Sequence, residues 1–357
     1  MTVKVSKPAV NVREELADLK KPTGIAGQAM LAAETPQEQF NLIGAGRRNM
    51  VINGNFIVSQ RGNYTSSSNP SDGDFTVDRW QVIQDGSPST ALIQNTDGSM
   101  KLTAGAATTG SMRLRQKFEY SLFPRQYDNK TFILSAKIKS NSQNARLNVY
   151  AGGYLAVSGV TSHSGSGQYE NLTAIFTTPA TITTEFSVHI GIDGVNSANT
   201  AISTGEYFEV KEVQLEVGKV ATPFEHRSYG EELALCQRYY WQTQSWRGYA
   251  YAYDQIGQGF IRSTNTDDSP VTIQAPFPVP MRVRPAVGPS TDDGAANFTA
   301  QVANNTANID TIVGTWSSGD RMAWIDFDTT SNPFSVGQAV SVYCNNGAMD
   351  IQFDAEL

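Results

Sequence analysis

From Thr131 to Lys139 apolar and polar side chains alternate, with Phe132, Leu134, Ala136 and Ile138 on one parity and Thr131, Ser135, Lys137 and Lys139 on the other. A period of two predicts a half-buried strand. Leu147 with Val149, and Phe186 with Val188 and Ile190, repeat it. The intervening GGYLAVSGVTSHSGSGQY and GIDGVNSANT stretches are rich in Gly, Ser and Asn, as surface turns are. Several short strands between such turns describe a β-sandwich of jelly-roll type.

The stretch from Tyr207 to Trp241 changes period twice. Phe208 and Val210 share one parity while Val213, Leu215 and Val217 share the other, so a β-bulge is expected near Lys211 and Glu212. Gly218 ends that strand, and Pro223 with Phe224 marks an ordered crossing loop. Ser228 followed by Glu231 is a capping box, the start of a helix carrying Leu235, Cys236, Tyr239 and Tyr240.

After Trp241 strand patterns return at Val271/Ile273, Ala323/Ile325/Phe327, Val340/Val342/Cys344 and Ile351/Phe353/Ala355. Phe277, Val279, Met281 and Val283 alternate with prolines, which predicts an edge strand or a polyproline-like segment. A second, smaller β-sandwich follows from this count. Ahead of the first strand, Asn11 with Glu14 caps a short helix bearing Val12, Leu16 and Leu19, and Thr35, Pro36 and Glu38 open another. Neither carries enough apolar surface to stand alone, so an arm that orders against a partner is expected, with Val12, Leu16, Leu19, Met30, Leu31 and Phe40 as its contacts.

The strand, the TPFE loop and the EELALCQRYYW helix resemble a segment of bacteriophage tail fibres and tail-associated adhesins that closes a carbohydrate-module-like β-sandwich. NMVINGNFIVSQRG (49–62) with FTVDRW (75–80) resembles the start of the same sandwich, and GIAGQAMLAAETPQEQFNLIGAGRRN (24–49) is similar to the amino-terminal segment of short fibres from marine podovirus-like phages. The resemblance covers residues 1 to 240 and implies a structural virion protein, a tail fibre assembled in the host cytoplasm. It further implies a homotrimer, attached by its arm to a tail adaptor or nozzle protein and meeting host-surface glycan or lipopolysaccharide. Leu235, Tyr239, Tyr240 and Trp241 are then the trimer-interface candidates. The whole is a mainly all-β chain: arm 1–48, jelly-roll sandwich 49–226, connecting helix 227–241 and a distal sandwich 242–357 as candidate receptor-binding domain. The rivals are a virion-associated glycan depolymerase and a carbohydrate-binding module of cellular origin.

Composition agrees with many short strands: 16 Phe, 14 Tyr and 30 Gly against 17% charged residues in 357. The formal net charge of −7 lies in the distal part, since residues 241–357 hold five basic and twelve acidic side chains. Such a surface does not suit duplex nucleic acid, and no stretch is long and apolar enough for membrane insertion. Two cysteines, Cys236 and Cys344, make neither a disulfide framework nor a metal cluster.

Chemistry is thin. His163, His189 and His226 have no metal or triad spacing, and Asp326 with Asp328 reads as apolar-in, acid-out, so no enzyme is expected and no catalytic residue is assigned. Asn53, Asn55 and Asp78 could supply oxygens to a structural calcium, although Asn53-Gly54 is first of all a turn dipeptide. Otherwise no cofactor is implied. Trp246, Tyr249, Tyr251 and Tyr253 could stack on sugar faces or pack as one side of a strand, and with Asp267, Asp268, Asn304 and Asn305 they are the receptor-contact candidates.

Overall fold

The computed structural model describes residues 48–62, 64–86, 88, 90–120, 124–243, 255–262, 271–289, 298–302, 305–317, 319–329, 334–344 and 351–357. The tail-docking candidates Val12, Leu16, Leu19, Met30, Leu31 and Phe40 lie outside them.

The first unit is built from β1 (Gln81–Asp85), β2 (Thr90–Gln94), β3 (Met100–Ala104), β4 (Thr108–Lys117), the four-residue α1 (Pro124–Tyr127), β5 (Thr131–Ser140), β6 (Ala145–Ala151), β7 (Tyr169–Thr177), β8 (Phe186–Ile192), β9 (Thr200–Ile202) and β10 (Tyr207–Val217). One sheet runs β1-β4-β8-β6, with β9 beside β4, and the other β2-β3-β10-β5-β7, all antiparallel. Their inner faces make one core in which Phe132, Leu134, Ile138, Val188, Ile190, Phe208 and Leu215 are buried. This is the expected sandwich. Trp80 closes its entrance, fully buried and tilted against Phe56 at 5.1 Å, with Nε1 donating to the Asn53 carbonyl at 2.9 Å.

The local expectations around β10 hold. Its register against β5 shifts between Lys211 and Gln214, and Glu212 sits at φ +54 in the bulge. The helix α2 (Tyr229–Gln237) begins with the Ser228/Glu231 capping box formed in both directions. It buries little, Glu232 and Cys236 alone among its residues. Glu232 Oε1 accepts from Asn53 N at 2.5 Å and from Arg227 at 3.3 Å, fastening the helix to the sandwich.

The second unit comprises β11 (Tyr240–Gln242), β12 (Gln255–Ile261), β13 (Val271–Pro276), β14 (Ala286–Pro289), β15 (Phe298–Val302), β16 (Asn305–Ser317), β17 (Met322–Thr329), β18 (Ala339–Cys344) and β19 (Ile351–Asp354). It is all-β and has its own core, but where a second sandwich was expected its main sheet closes on itself as the barrel β12-β13-β17-β16-β15-β18, because alternation sets the buried face of each strand and not its pairing partner. β11-β19-β14 forms a small sheet at its side. The proline-rich segment leaves the strand at Pro276, and Phe277 and Met281 turn into the core. Asp326 keeps the expected outward parity, opposite the core residues Ala323, Ile325 and Phe327, but it is not solvated: it is 3% exposed, because Thr272 Oγ1 donates to it at 2.6 Å and Arg262 pairs with it at 3.3 Å. A buried carboxylate needs such partners.

The end of the chain joins the two units. β19 pairs with β11 directly after the helix, and Trp241 stacks on Phe353 at 5.0 Å. Arg61 pairs with Asp354 at 3.0 Å and Glu356 at 3.4 Å, and Arg79, 2% exposed, pairs with Glu356. Arg61 also lies over the Tyr240 ring at 3.7 Å and Arg79 over Tyr239 at 3.5 Å. Arg238 grips Glu119 with two bonds of 3.0 Å, while Arg282 donates to the Ala355 and Glu356 carbonyls at 2.7 and 2.9 Å.

Candidate functional site

A groove of about 630 Å³ opens on the outer face of the β5-β7-β10 sheet. Its floor comes from strand alternation: Ser135 and Lys137 on β5, opposite which Asn171 on β7 pairs with Lys137 in register. The β10 bulge contributes Glu212, whose carboxylate meets Lys137 Nζ at 2.7 Å. A residue without glycine's freedom held at positive φ costs about 1–2 kcal/mol. Here the bulge re-aims one side chain into the groove.

The wall is the crossing loop, with Ala221, Thr222, Pro223, Phe224 and His226. Phe224 and His226 meet edge to face at 5.0 Å. This wall is pinned from behind. Glu216 accepts from Thr222 N and Oγ1 at 3.1 and 2.5 Å, Gln214 Oε1 accepts from Glu225 N at 2.8 Å, and Glu225 Oε2 accepts from the Arg48 and Asn49 amides at 2.9 and 2.6 Å. Arg227 donates to the Val51 carbonyl at 3.0 Å and to that of Asn49. The ring pair is therefore presented on a fixed loop, and rigid presentation of rings lowers the ordering cost of binding.

Charge in the groove cancels within one pair, Lys137 with Glu212. Next to that pair lies the Asn171 amide, exposed. The arrangement offers a ring wall, a donor and an acceptor 2.7 Å apart, and an amide bearing both functions. That is the chemistry of hydroxyl recognition. Glu212 is the sole acid among the described lining residues, and glycoside hydrolysis ordinarily takes two facing carboxylates.

The candidates expected from the sequence fall elsewhere. Trp246, Tyr249, Tyr251, Tyr253, Asp267, Asp268 and Asn304 lie outside the described residues, and Asn305 is placed only as the first residue of β16. Of the trimer candidates, Tyr239 and Tyr240 are 5% and 1% exposed because Arg79 and Arg61 cover their rings, so their surface is spent within one chain. Leu235 and Trp241 are half-buried. Asn53 acts as the turn former: its Oδ1 accepts from Val58 N at 3.0 Å and its Nδ2 donates to the Val58 and Asp78 carbonyls at 2.8 and 2.9 Å. Asp78 accepts from Gln60 N and Nε2 at 3.1 and 2.7 Å, and burial raises its carboxyl to about 6. Asn53 Oδ1 and both Asp78 carboxylate oxygens are thus committed to protein donors, while the buried Asn55 Oδ1 has no hydrogen-bond partner; no cluster of three or more His, Cys, Asp or Glu able to hold a metal occurs among the described residues. Cys236 is a free, buried thiol raised well above its usual range by desolvation.

Sequence reasoning missed the groove as a site. Its signals were present, namely the phase switch at Glu212 and the Pro223-Phe224 pair, but each reads alone as architecture.

No protein-family model and no curated protein matches the sequence. Among solved structures, the CBM22-2 xylan-binding domain of Paenibacillus barcinonensis Xyn10C shares 15% identity over 43% of this chain and 99% of its own, at a TM-score of 0.28. The tandem CBM22-1-CBM22-2 domain of the same protein shares 12% over 83% and 98%, at 0.27. The tripod from the baseplate of bacteriophage Tuc2009 shares 11% over 81% and 91%, at 0.24. At these scores the overlap is loose.

Proposed function

We propose that the chain is a phage tail-fibre subunit that binds saccharide, using the groove between the β5-β7-β10 sheet and the crossing loop. The observation that carries the saccharide reading is the fixed Phe224–His226 wall facing the charge-neutral Lys137–Glu212 pair. A pyranose presents an apolar C–H face and a rim of hydroxyls. The former matches the ring wall, and a pair of adjacent hydroxyls can accept from Lys137 and donate to Glu212 together. Groove size suits one to a few sugar units. The role is binding, with surface glycan as the ligand and a neutral sugar as the unit held.

The fibre context comes from the sequence resemblance. In it the chain is a homotrimer, its arm docks on a tail adaptor protein, and the distal unit faces the host. A glycan array probed with the intact chain tests the saccharide reading. Retention of neutral glycans by the native chain, and an affinity about tenfold weaker in Phe224→Ala, are expected, while a native chain that retains none of them refutes it. Light scattering tests the assembly: a mass near 38.8 kDa at micromolar concentration excludes the trimer.

A further inference from the structure

We infer that the distal barrel carries a second saccharide contact, a platform made by Phe260 of β12 and Trp324 of β17. The two rings meet edge to face at 6.1 Å across the intervening strand β13. Strand register fixes their surroundings. Gln258, Gln274 and Trp324 form one row across the three strands, and Phe260, Thr272 and Asp326 the next, two residues along. The rings thus lie on a diagonal, closing over Thr272 and Gln274. Gly259 lets β12 approach β13 closely, since a Cβ there would run into the Thr272 carbonyl oxygen.

Three properties of this face point to a neutral sugar ring. First, Phe260 is 41% exposed although it belongs to a strand, so that beyond its edge contact with Trp324 much of its apolar surface stays in water. Second, the polar groups around the rings are the exposed amides of Gln258 and Gln274, each able both to donate and to accept. Asp326, in the row of Phe260, faces Arg262 just past the end of β12 at 3.3 Å, and Thr272 satisfies the other side of that carboxylate, so the charges bordering the patch are paired with each other. Third, the patch is too small to seat another protein. Two aromatic side chains cover at most about 150–250 Å² each, against the roughly 800 Å² per partner of a stable interface. One or two pyranose units fit it.

The platform and the groove share no residue, so either can fail without the other. Together they give one chain two contacts for a repeating surface polymer. Two weak contacts on one polymer reinforce each other by effective concentration, and a multimeric fibre multiplies the effect.

The test compares the full chain with Phe260→Ala, Gln274→Ala, Phe224→Ala and the Phe260→Ala/Phe224→Ala double variant on one array of neutral and acidic glycans, each variant checked by its melting curve. The expected result is an affinity for neutral glycans reduced about tenfold by Phe260→Ala, the factor that about 1.4 kcal/mol carries, reduced less by Gln274→Ala, and abolished in the double variant. If Phe260→Ala and Gln274→Ala both retain native affinity while Phe224→Ala loses it, the platform is refuted and the groove stands. If Phe260→Ala loses binding and Phe224→Ala does not, the platform stands and the groove fails. A native chain that retains acidic glycans only, or none, overturns the platform. Should Phe260→Ala melt early, Gln274→Ala, whose side chain is exposed, decides by itself.

Discussion

The groove and the seam between the two units are made from the same kinds of parts and do opposite things. Each sets aromatic rings beside paired charges at the edge of the first sandwich. In the seam the rings of Tyr239 and Tyr240 are covered by Arg79 and Arg61, and those arginines are in turn taken up by Glu356 and Asp354. In the groove Phe224 and His226 touch each other and leave about 630 Å³ in front of them. Lys137 and Glu212 there are 41% and 26% exposed, against 2% and 4% for Arg79 and Glu356. The difference is solvent. A buried ion pair holds structure because losing one member strands the other in a medium that cannot hydrate it, whereas a solvated pair is worth little to stability and is free to exchange water for ligand hydroxyls.

The contrast is sharpest in stability. Glu356→Ala is expected to cost about 3–5 kcal/mol, since it leaves the buried Arg79 without its carboxylate. Calorimetry checks this, and a loss below about 1 kcal/mol would mean that the seam is hydrated in solution. Phe224→Ala should leave the melting temperature nearly unchanged while lowering saccharide affinity about tenfold, or about 1.4 kcal/mol. A variant that loses stability and binding in parallel would erase the distinction between the two regions.

Asp78 gives a pH handle on the seam side. Its folded-state carboxyl is raised to about 6 by burial, above the unfolded value of 3.8, so the folded chain takes up a proton first as pH falls. The sign is therefore the reverse of a salt-bridged carboxylate: this group destabilises above its folded value and the penalty is relieved in acid. Between pH 7 and 5 it should add about 1 kcal/mol of stability. Asp78→Asn sets an amide against Gln60 and costs stability, but it should remove this increment from the pH profile. Identical profiles for the two proteins would locate the titration elsewhere. The smallest effect belongs to the groove. Because Lys137 and Glu212 cancel, raising salt from about 50 to 500 mM should change saccharide affinity less than about threefold, and a steeper slope would indicate an ionic ligand.

The sequence carried the architecture where the signal was local. The bulge at Lys211/Glu212 showed as a switch of parity, the helix start as Ser228 and Glu231, and the sandwich as alternating runs between Gly- and Ser-rich turns. Closure of the distal strands into a ring was beyond it, because alternation fixes faces and leaves the pairing partners open. The seam was illegible for the same reason: Arg79 and Glu356 are 277 residues apart, and nothing in the terminal DAEL announces a partner. Asp326 shows the limit of a local pattern: alternation put it on the outer face, where it lies, but could not show that Arg262 and Thr272 cover it there. The groove needs residues of β5, β7, β10 and the crossing loop at once, so Phe224 could be read only as a loop anchor until those elements were assembled.

The proposed function has the open ring wall, and not the seam, receive the ligand. Its most direct test follows the aromatic and imidazole resonances of Phe224, His226, Tyr239 and Tyr240 by NMR while a neutral glycan retained by the intact chain is titrated in. Saturable shifts at Phe224 and His226 with Tyr239 and Tyr240 unmoved are predicted. Shifts at the tyrosines with Phe224 and His226 unmoved would contradict the account.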